Sequence, residues 1–110
     1  MTENFASFNT MQGISPVEGV MIKSAHLDNV MMTYMEFAPG SILPEHKHPH
    51  EQITTIIAGN MEMTVGDQTQ LMRPGDVVTV PPNILHSAKV IEEKAIAIDA
   101  WSPIREDYKL

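Results

Sequence analysis

Five histidines occur in the 110 residues, and three stand at alternate positions. They lie in Gly40-Ser-Ile-Leu-Pro-Glu-His46-Lys-His48-Pro-His50-Glu51-Gln52, a stretch closed by Gly59. Imidazole is the commonest metal ligand near neutral pH. On an extended strand, residues two apart share a face. His46 and His48 can therefore aim two nitrogens at one point without a helix. Gln52 has the same parity and can join them if the chain stays near-extended through Pro49. A second stretch runs from Gly75 through Pro81, Pro82 and Asn83 to His86, adding one more histidine beside a Pro-Pro-Asn turn. Divalent-metal binding is the chemistry to expect if the two stretches meet.

The C-terminal segment carries a different set. Ala95-Ile96-Ala97-Ile98 is an apolar strand that delivers Asp99 and Trp101 to one face by parity, with Arg105 shortly after. Asp99 can transfer protons. Arg105 can clamp a substrate carboxylate through two parallel hydrogen bonds. Trp101 can pack on a sugar face or wall off water. The plainer alternative is a strand-end carboxylate, a core Trp and a surface Arg–Glu pair.

These residues need strands to position them. Patterning predicts eight: 19–24, 30–37, 53–58, 61–65, 68–72, 77–80, 86–91 and 95–101. Turn residues punctuate them: Asp28-Asn29, Pro39-Gly40, Gly59-Asn60, Gly66-Asp67 and Pro74-Gly75-Asp76. No window carries a 3.6-residue apolar period. The pattern indicates an all-β sandwich or barrel, a jelly roll among them. Residues 1–18 form an arm that Phe5 and Phe8 can anchor. The nine methionines read as adaptable core filling, or as a pliable wall around a ligand.

The length fits one domain over residues 1–110. With 43% hydrophobic and 19% charged residues the composition is that of a globular protein. There is no apolar run of membrane-spanning length. Neither a signal-peptide pattern nor a cysteine is present, which fits a cytoplasmic protein. A net charge of −7 without a Lys/Arg cluster argues against nucleic acid. A small anion held by a metal and one arginine remains compatible.

The two histidine stretches resemble the paired motifs of the cupin superfamily. The first motif runs Gly, five residues, His-x-His, three or four residues, Glu, six residues, Gly; Gly40, His46, His48 and Gly59 match it, with Gln52 in the Glu position. The second runs Gly, five residues, Pro-x-Gly, two residues, His, three residues, Asn; Gly75, Pro81 and His86 match it. Asn83 replaces its Gly, and Asn also adopts left-handed backbone angles; Val90 replaces the final Asn. The resemblance covers residues 40–90. It implies a double-stranded β-helix barrel with one divalent metal ion on His46, His48, Gln52 and His86. Nickel, zinc, iron, manganese and cobalt all suit such ligation. Because this donor set is neutral, the ion keeps its full charge, which favours anionic substrates. Glu51 replaces Gln52 as ligand if the strand kinks at Pro49. His26 is expected at the surface and His50 in an exposed loop, with support of the ligands as the other reading for His50.

The tail is similar to one group of small cupins, the pectin-degradation proteins that linearise unsaturated uronates. Their Asp-x-Phe-Ser-Pro-x-Arg pattern is matched by Asp99, Trp101 and Arg105, with Trp for the usual Phe. The resemblance implies a non-redox, metal-dependent enzyme that opens a 4,5-unsaturated uronate to a linear keto acid. It also implies a homodimer, for which the Phe5/Phe8 arm is suited. A metal-dependent dioxygenase-type cupin and a non-catalytic sugar-binding cupin are the alternatives.

Overall fold

A computed structural model describes residues 4–109. Nine strands follow in chain order: β1 (Val20–His26), β2 (Met31–Phe37), β3 (Ile42–His46), β4 (Glu51–Ala58), β5 (Met61–Val65), β6 (Gln68–Met72), β7 (Val77–Val80), β8 (His86–Lys89) and β9 (Ala95–Ser102). A 3-10 turn, Glu106–Tyr108, comes last. Among the described residues there is no α-helix, and none long and apolar enough to cross a membrane. The strands form two antiparallel sheets, β1-β2-β9-β4-β7 and β3-β8-β5-β6. The fold is the expected all-β jelly roll.

Alternation builds the interior. β1 buries Val20, Ile22 and Ser24; β2 buries Met31, Thr33, Met35 and Phe37; β9 buries Ala95, Ala97, Asp99 and Trp101. Fully buried aliphatic side chains such as Ile22 and Ile56 each contribute roughly 1.5–3 kcal/mol. Three of these inward positions, Ser24, Thr33 and Asp99, are polar, and Thr33 and Asp99 sit next to each other across β2 and β9.

β3 has no counterpart among the eight strands expected. It buries no residue fully, and its register shifts between Leu43 and His46, around Pro44. Proline removes a ladder donor and is tolerated on an edge strand, so neither alternation nor composition marks this strand. β8 stops at Lys89 rather than residue 91, and β1 runs on through Ala25 and His26 before the turn. His26 is exposed, as expected.

Gly59, the residue that closes the first motif, has φ +72°. A Cβ there would run into the Lys94 carbonyl oxygen, so the β4–β5 turn and the start of β9 approach only because the side chain is absent. In the second motif, Asn83 takes the left-handed conformation expected of it, φ 63°.

The N-terminal arm is held by one of its two phenylalanines. Phe8 stacks on Tyr34 at 5.2 Å, and its carbonyl accepts a hydrogen bond from Lys23 Nζ at 2.7 Å. Phe5 is 90% exposed and anchors nothing within the chain. Residues 1–3 of the arm lie outside the described residues. Ile14 bridges Ile22, covering part of the free edge of β1.

Candidate metal centre

The two histidine stretches meet. His46 ends β3, His86 opens β8, and they are direct cross-strand partners. His48 lies two residues beyond β3, where the Asn83 N–H donates to its carbonyl at 2.8 Å. The left-handed turn of the second motif thus holds the loop of the first. Gln52 arrives by a different route from the one expected. The chain bends at Pro49 and His50 instead of staying extended, and β4 then runs in the opposite sheet. Gln52 reaches the site because it shares the inward parity of Thr54 and Ile56 on β4. Glu51, one position earlier, is exposed.

Each histidine is oriented by its own backbone. Nδ1 of His46 hydrogen-bonds the Pro44 carbonyl at 2.8 Å, Nδ1 of His86 the Ile84 carbonyl at 2.8 Å, and Nδ1 of His48 the His50 carbonyl at 3.2 Å. A carbonyl only accepts, so each Nδ1 carries the proton and each Nε2 is left with a lone pair. Those lone pairs converge. His48 Nε2 is 3.1 Å from His86 Nε2 and 3.1 Å from Gln52 Oε1, and one nitrogen from each of His46, His48 and His86 lies within 4.8 Å of the others. Three lone-pair nitrogens and an amide oxygen facing one another repel unless a cation stands between them. Two nitrogens each about 2.1 Å from one ion at a right angle would be about 3 Å apart. The donor set fits a divalent ion of the kind that imidazole and carbonyl oxygen bind. Burial holds His48 down to about 4, and burial likewise lowers His86. Both rings are therefore neutral, as ligation requires.

His50 is not the exposed loop residue expected. Its carbonyl fixes the His48 ring, and its own ring packs edge-on against His48 at 5.5 Å and perpendicular to Trp101 at 6.3 Å. His50 Nδ1 is buried with no hydrogen-bond partner.

Behind Gln52 lies a closed polar row. Asp99 is 1% exposed and stands between Thr33 on β2 and Thr54 on β4, both its direct cross-strand partners. Thr33 Oγ1 donates to Asp99 Oδ2 at 3.1 Å, and Thr54 Oγ1 donates to Oδ1. Gln52 Nε2 donates to Thr54 Oγ1 at 2.9 Å and to Asp99 Oδ1 at 3.5 Å. Trp101 Nε1 donates to Thr33 Oγ1 at 2.9 Å. Burial pushes the Asp99 carboxyl up to about 6, although the three hydrogen bonds oppose the rise. Asp99 and Trp101 share the inward face, as parity predicts. The threonines were legible in principle, as polar residues at the inward parity of apolar strands.

Arg105 also reaches this region. Its guanidinium lies 4.9 Å over the Trp101 ring and 4.1 Å over the Tyr108 ring. The surface Arg–Glu pair does not form: Nε and Nη2 fork onto Asp107 at 3.0 and 2.8 Å, and Glu106 pairs with Lys109. Two parallel donors are thus taken within the chain, while Nη1 is buried without a partner among the described residues. Trp101 is 4% exposed, so the indole walls the site and offers no open face for a sugar. Tyr108, which no sequence pattern singled out, is buried beside Trp101 at 5.8 Å. The Ser24 hydroxyl donates to the Tyr108 carbonyl at 2.5 Å, tying the tail back to β1.

His46, Gln52, Asp99, Trp101 and Tyr108 line one cavity with Met35, Met61 and Met63. Met31 and Met72 fill the core, as do these three methionines, while Met21 and Met32 are exposed. The space that water can occupy inside it is about 20 Å³, room for a single water.

The cupin domain family matches residues 33–101. A pectin degradation protein, KdgF of Dickeya dadantii (strain 3937), is 34% identical over 82 residues, which cover 74% of each chain. Among solved structures, KdgF from Halomonas sp. superposes with a TM-score of 0.88 at 27% identity, over 96% of this chain and 98% of that one. An RmlC-like cupin from Shewanella frigidimarina NCIMB 400 superposes with a TM-score of 0.91 at 25% identity, over 98% and 97%.

Proposed function

The chain belongs to the cupin family, and from that premise we propose that it is a metal-dependent enzyme of pectin or alginate breakdown that linearises 4,5-unsaturated uronates. The observation that carries the reading is Arg105. A buried guanidinium nitrogen without a partner, beside a neutral set of metal donors, calls for a small anion. Likeness to the pectin degradation protein of Dickeya dadantii supports a uronate as that anion.

His46, His48, Gln52 and His86 would hold the divalent ion. When bound, the ion supplies Lewis acidity to an oxygen of the substrate. Arg105 Nη1 binds the carboxylate, and Asp107 keeps the guanidinium plane in place. Asp99, whose carboxyl titrates near neutrality, handles the proton at the sugar ring. A proton adds to C4 and the hydroxyl of water adds to C5, consuming the double bond. The resulting hemiketal then breaks its C5–ring oxygen bond as its hydroxyl loses a proton and the ring oxygen gains one, leaving a ketone at C5 and an open chain. No electrons are exchanged with an acceptor. Trp101 and Tyr108 exclude bulk water.

A homodimer is part of the proposal. What supports it is the outer face of the five-stranded sheet, where Met32, Ile53, Ile57 and Val77 are exposed and would ordinarily be polar.

The test is the absorbance of the 4,5-double bond. Metal-loaded protein mixed with unsaturated galacturonate is expected to bleach it well above the spontaneous rate, and Arg105→Ala to abolish the difference. Full metal loading without acceleration would sink the reading, and oxygen consumption in its place would identify a dioxygenase.

A further inference from the structure

We infer that Thr54 and Thr33 are positioning residues with separate tasks: Thr54 decides which end of the Gln52 amide faces the metal donors, and Thr33 holds Asp99 to Trp101. An amide nitrogen donates and does not accept. Thr54 therefore accepts from Gln52 Nε2 and must spend its single hydrogen on Asp99 Oδ1. An indole N–H likewise only donates. Thr33 therefore accepts from Trp101 and spends its hydrogen on Asp99 Oδ2. While Asp99 is ionised, the hydroxyl and N–H protons of the row are thereby fixed in place.

The consequence falls on Gln52. A carboxamide turned by a half-rotation about its last bond keeps nearly the same shape, so packing alone does not choose its orientation. Here the amino end meets Thr54 and Asp99, and the carbonyl oxygen stands 3.1 Å from His48 Nε2. The reversed amide would press its oxygen against the Asp99 carboxylate and turn two N–H groups toward the site of a cation. Thr54 is the nearer of the two acceptors that prevent this. Thr33 has no hydrogen bond to Gln52; among the described residues its side-chain hydrogen-bond partners are Asp99 and Trp101. Both threonines are buried to within 2%, and both sit at the register position of Asp99.

The inference rests on the metal site of the proposed function, and it is tested with cobalt(II) alone, without any uronate. Visible absorption and calorimetric titration are run on wild type, Thr54→Val, Thr54→Ser, Thr33→Val and Gln52→Ala. Thr54→Val is expected to weaken cobalt binding about tenfold or more, the usual size of a lost outer-shell partner, and to shift the ligand-field bands. Thr54→Ser, which keeps the hydroxyl, is expected to restore both. Thr33→Val is expected to leave cobalt affinity within about twofold while changing Trp101 fluorescence. In the Gln52→Ala background Thr54→Val is expected to add nothing, because no amide remains to orient. Wild-type affinity and spectrum in Thr54→Val would overturn the inference, as would equal losses in the two valine variants. If Thr54→Val does not fold, Thr54→Ala is read by the same criteria. A wild type that binds no cobalt would overturn the metal reading and this inference together.

Discussion

The Nε2 atoms of His48 and His86 face each other across 3.1 Å, each with its Nδ1 proton committed to a backbone carbonyl. Two lone pairs aimed at one point from a loop and from the start of β8 form an arrangement that a cation relieves. The metal is therefore expected to stabilise the fold as well as to serve chemistry. Ion at about a hundred times its dissociation constant adds about 2.7 kcal/mol to folding. For a chain of this size that corresponds to a melting shift of roughly 10 °C or more. Calorimetry with and without chelator measures it, and His48→Ala should lose the shift. Equal melting temperatures with and without chelator would refute the site.

Acid should affect the metal-free protein through groups of opposite sign, His48 with His86 on one side and Asp99 on the other. Burial lowers His48 to about 4, below its ordinary 6.5. Its contribution to stability is present above 6.5 and is lost as pH falls toward 4. Burial raises Asp99 from 3.8 to about 6. Its contribution is present below 3.8 and is lost as pH rises through 6. Between about 4 and 6 the two slopes have opposite signs. Asp99→Asn removes one of them, so the metal-free variant should lose stability on acidification more steeply than wild type, by about 1.4 kcal/mol per pH unit. Urea unfolding at pH 4.5, 5.5 and 6.5 reads the difference. Parallel curves would show that Asp99 is not protonated in the fold.

Arg105→Lys keeps the charge but loses the planar fork that meets Asp107 and leaves Nη1 for the substrate. Uronate turnover, as kcat/KM, is expected to fall about 10- to 100-fold, the range of a lost charge-assisted hydrogen bond of about 1.5–3 kcal/mol. Metal content should be unchanged. Unaltered turnover would remove Arg105 from substrate binding.

Trp101→Phe installs the aromatic residue usual in similar tails. The indole N–H bond to Thr33 is lost, and the smaller ring opens space beneath Arg105 and beside Tyr108. Stability is expected to drop by about 1–3 kcal/mol, measured by urea unfolding, while KM for the uronate falls because the cavity is less tight. A KM that rises would mean that the indole itself contacts the substrate.

The candidate metal donors were legible because strand parity is a local property and because the glycine, histidine and turn spacings resemble the paired cupin motifs. His46, His48 and His86 could be read from alternation and from the Gly-to-Gly intervals around them, and Asp99 and Trp101 from β9 parity. What was not legible depended on which strands become neighbours. Gln52 joins the histidines from the facing sheet, after a bend at Pro49 that breaks the continuous strand its spacing invites. His50 looked like an exposed loop residue because nothing nearby in sequence tells that its carbonyl receives the His48 ring. Arg105 could be named, but its partner Asp107 and its seat on Trp101 and Tyr108 are set by the path of the tail.

Thr33, Thr54 and Asp99 make the distinction plain. They are 21 and 45 positions apart along the chain, on strands that pair only because β9 inserts between β2 and β4. Sequence alone determined an all-β chain with a histidine cluster and an inward-facing acid, since periodicity and turn chemistry act over a few residues. The tertiary structure decided how the acid is held, which amide end faces the metal donors and how little room remains, since hydrogen-bond direction and burial exist only once distant strands are adjacent.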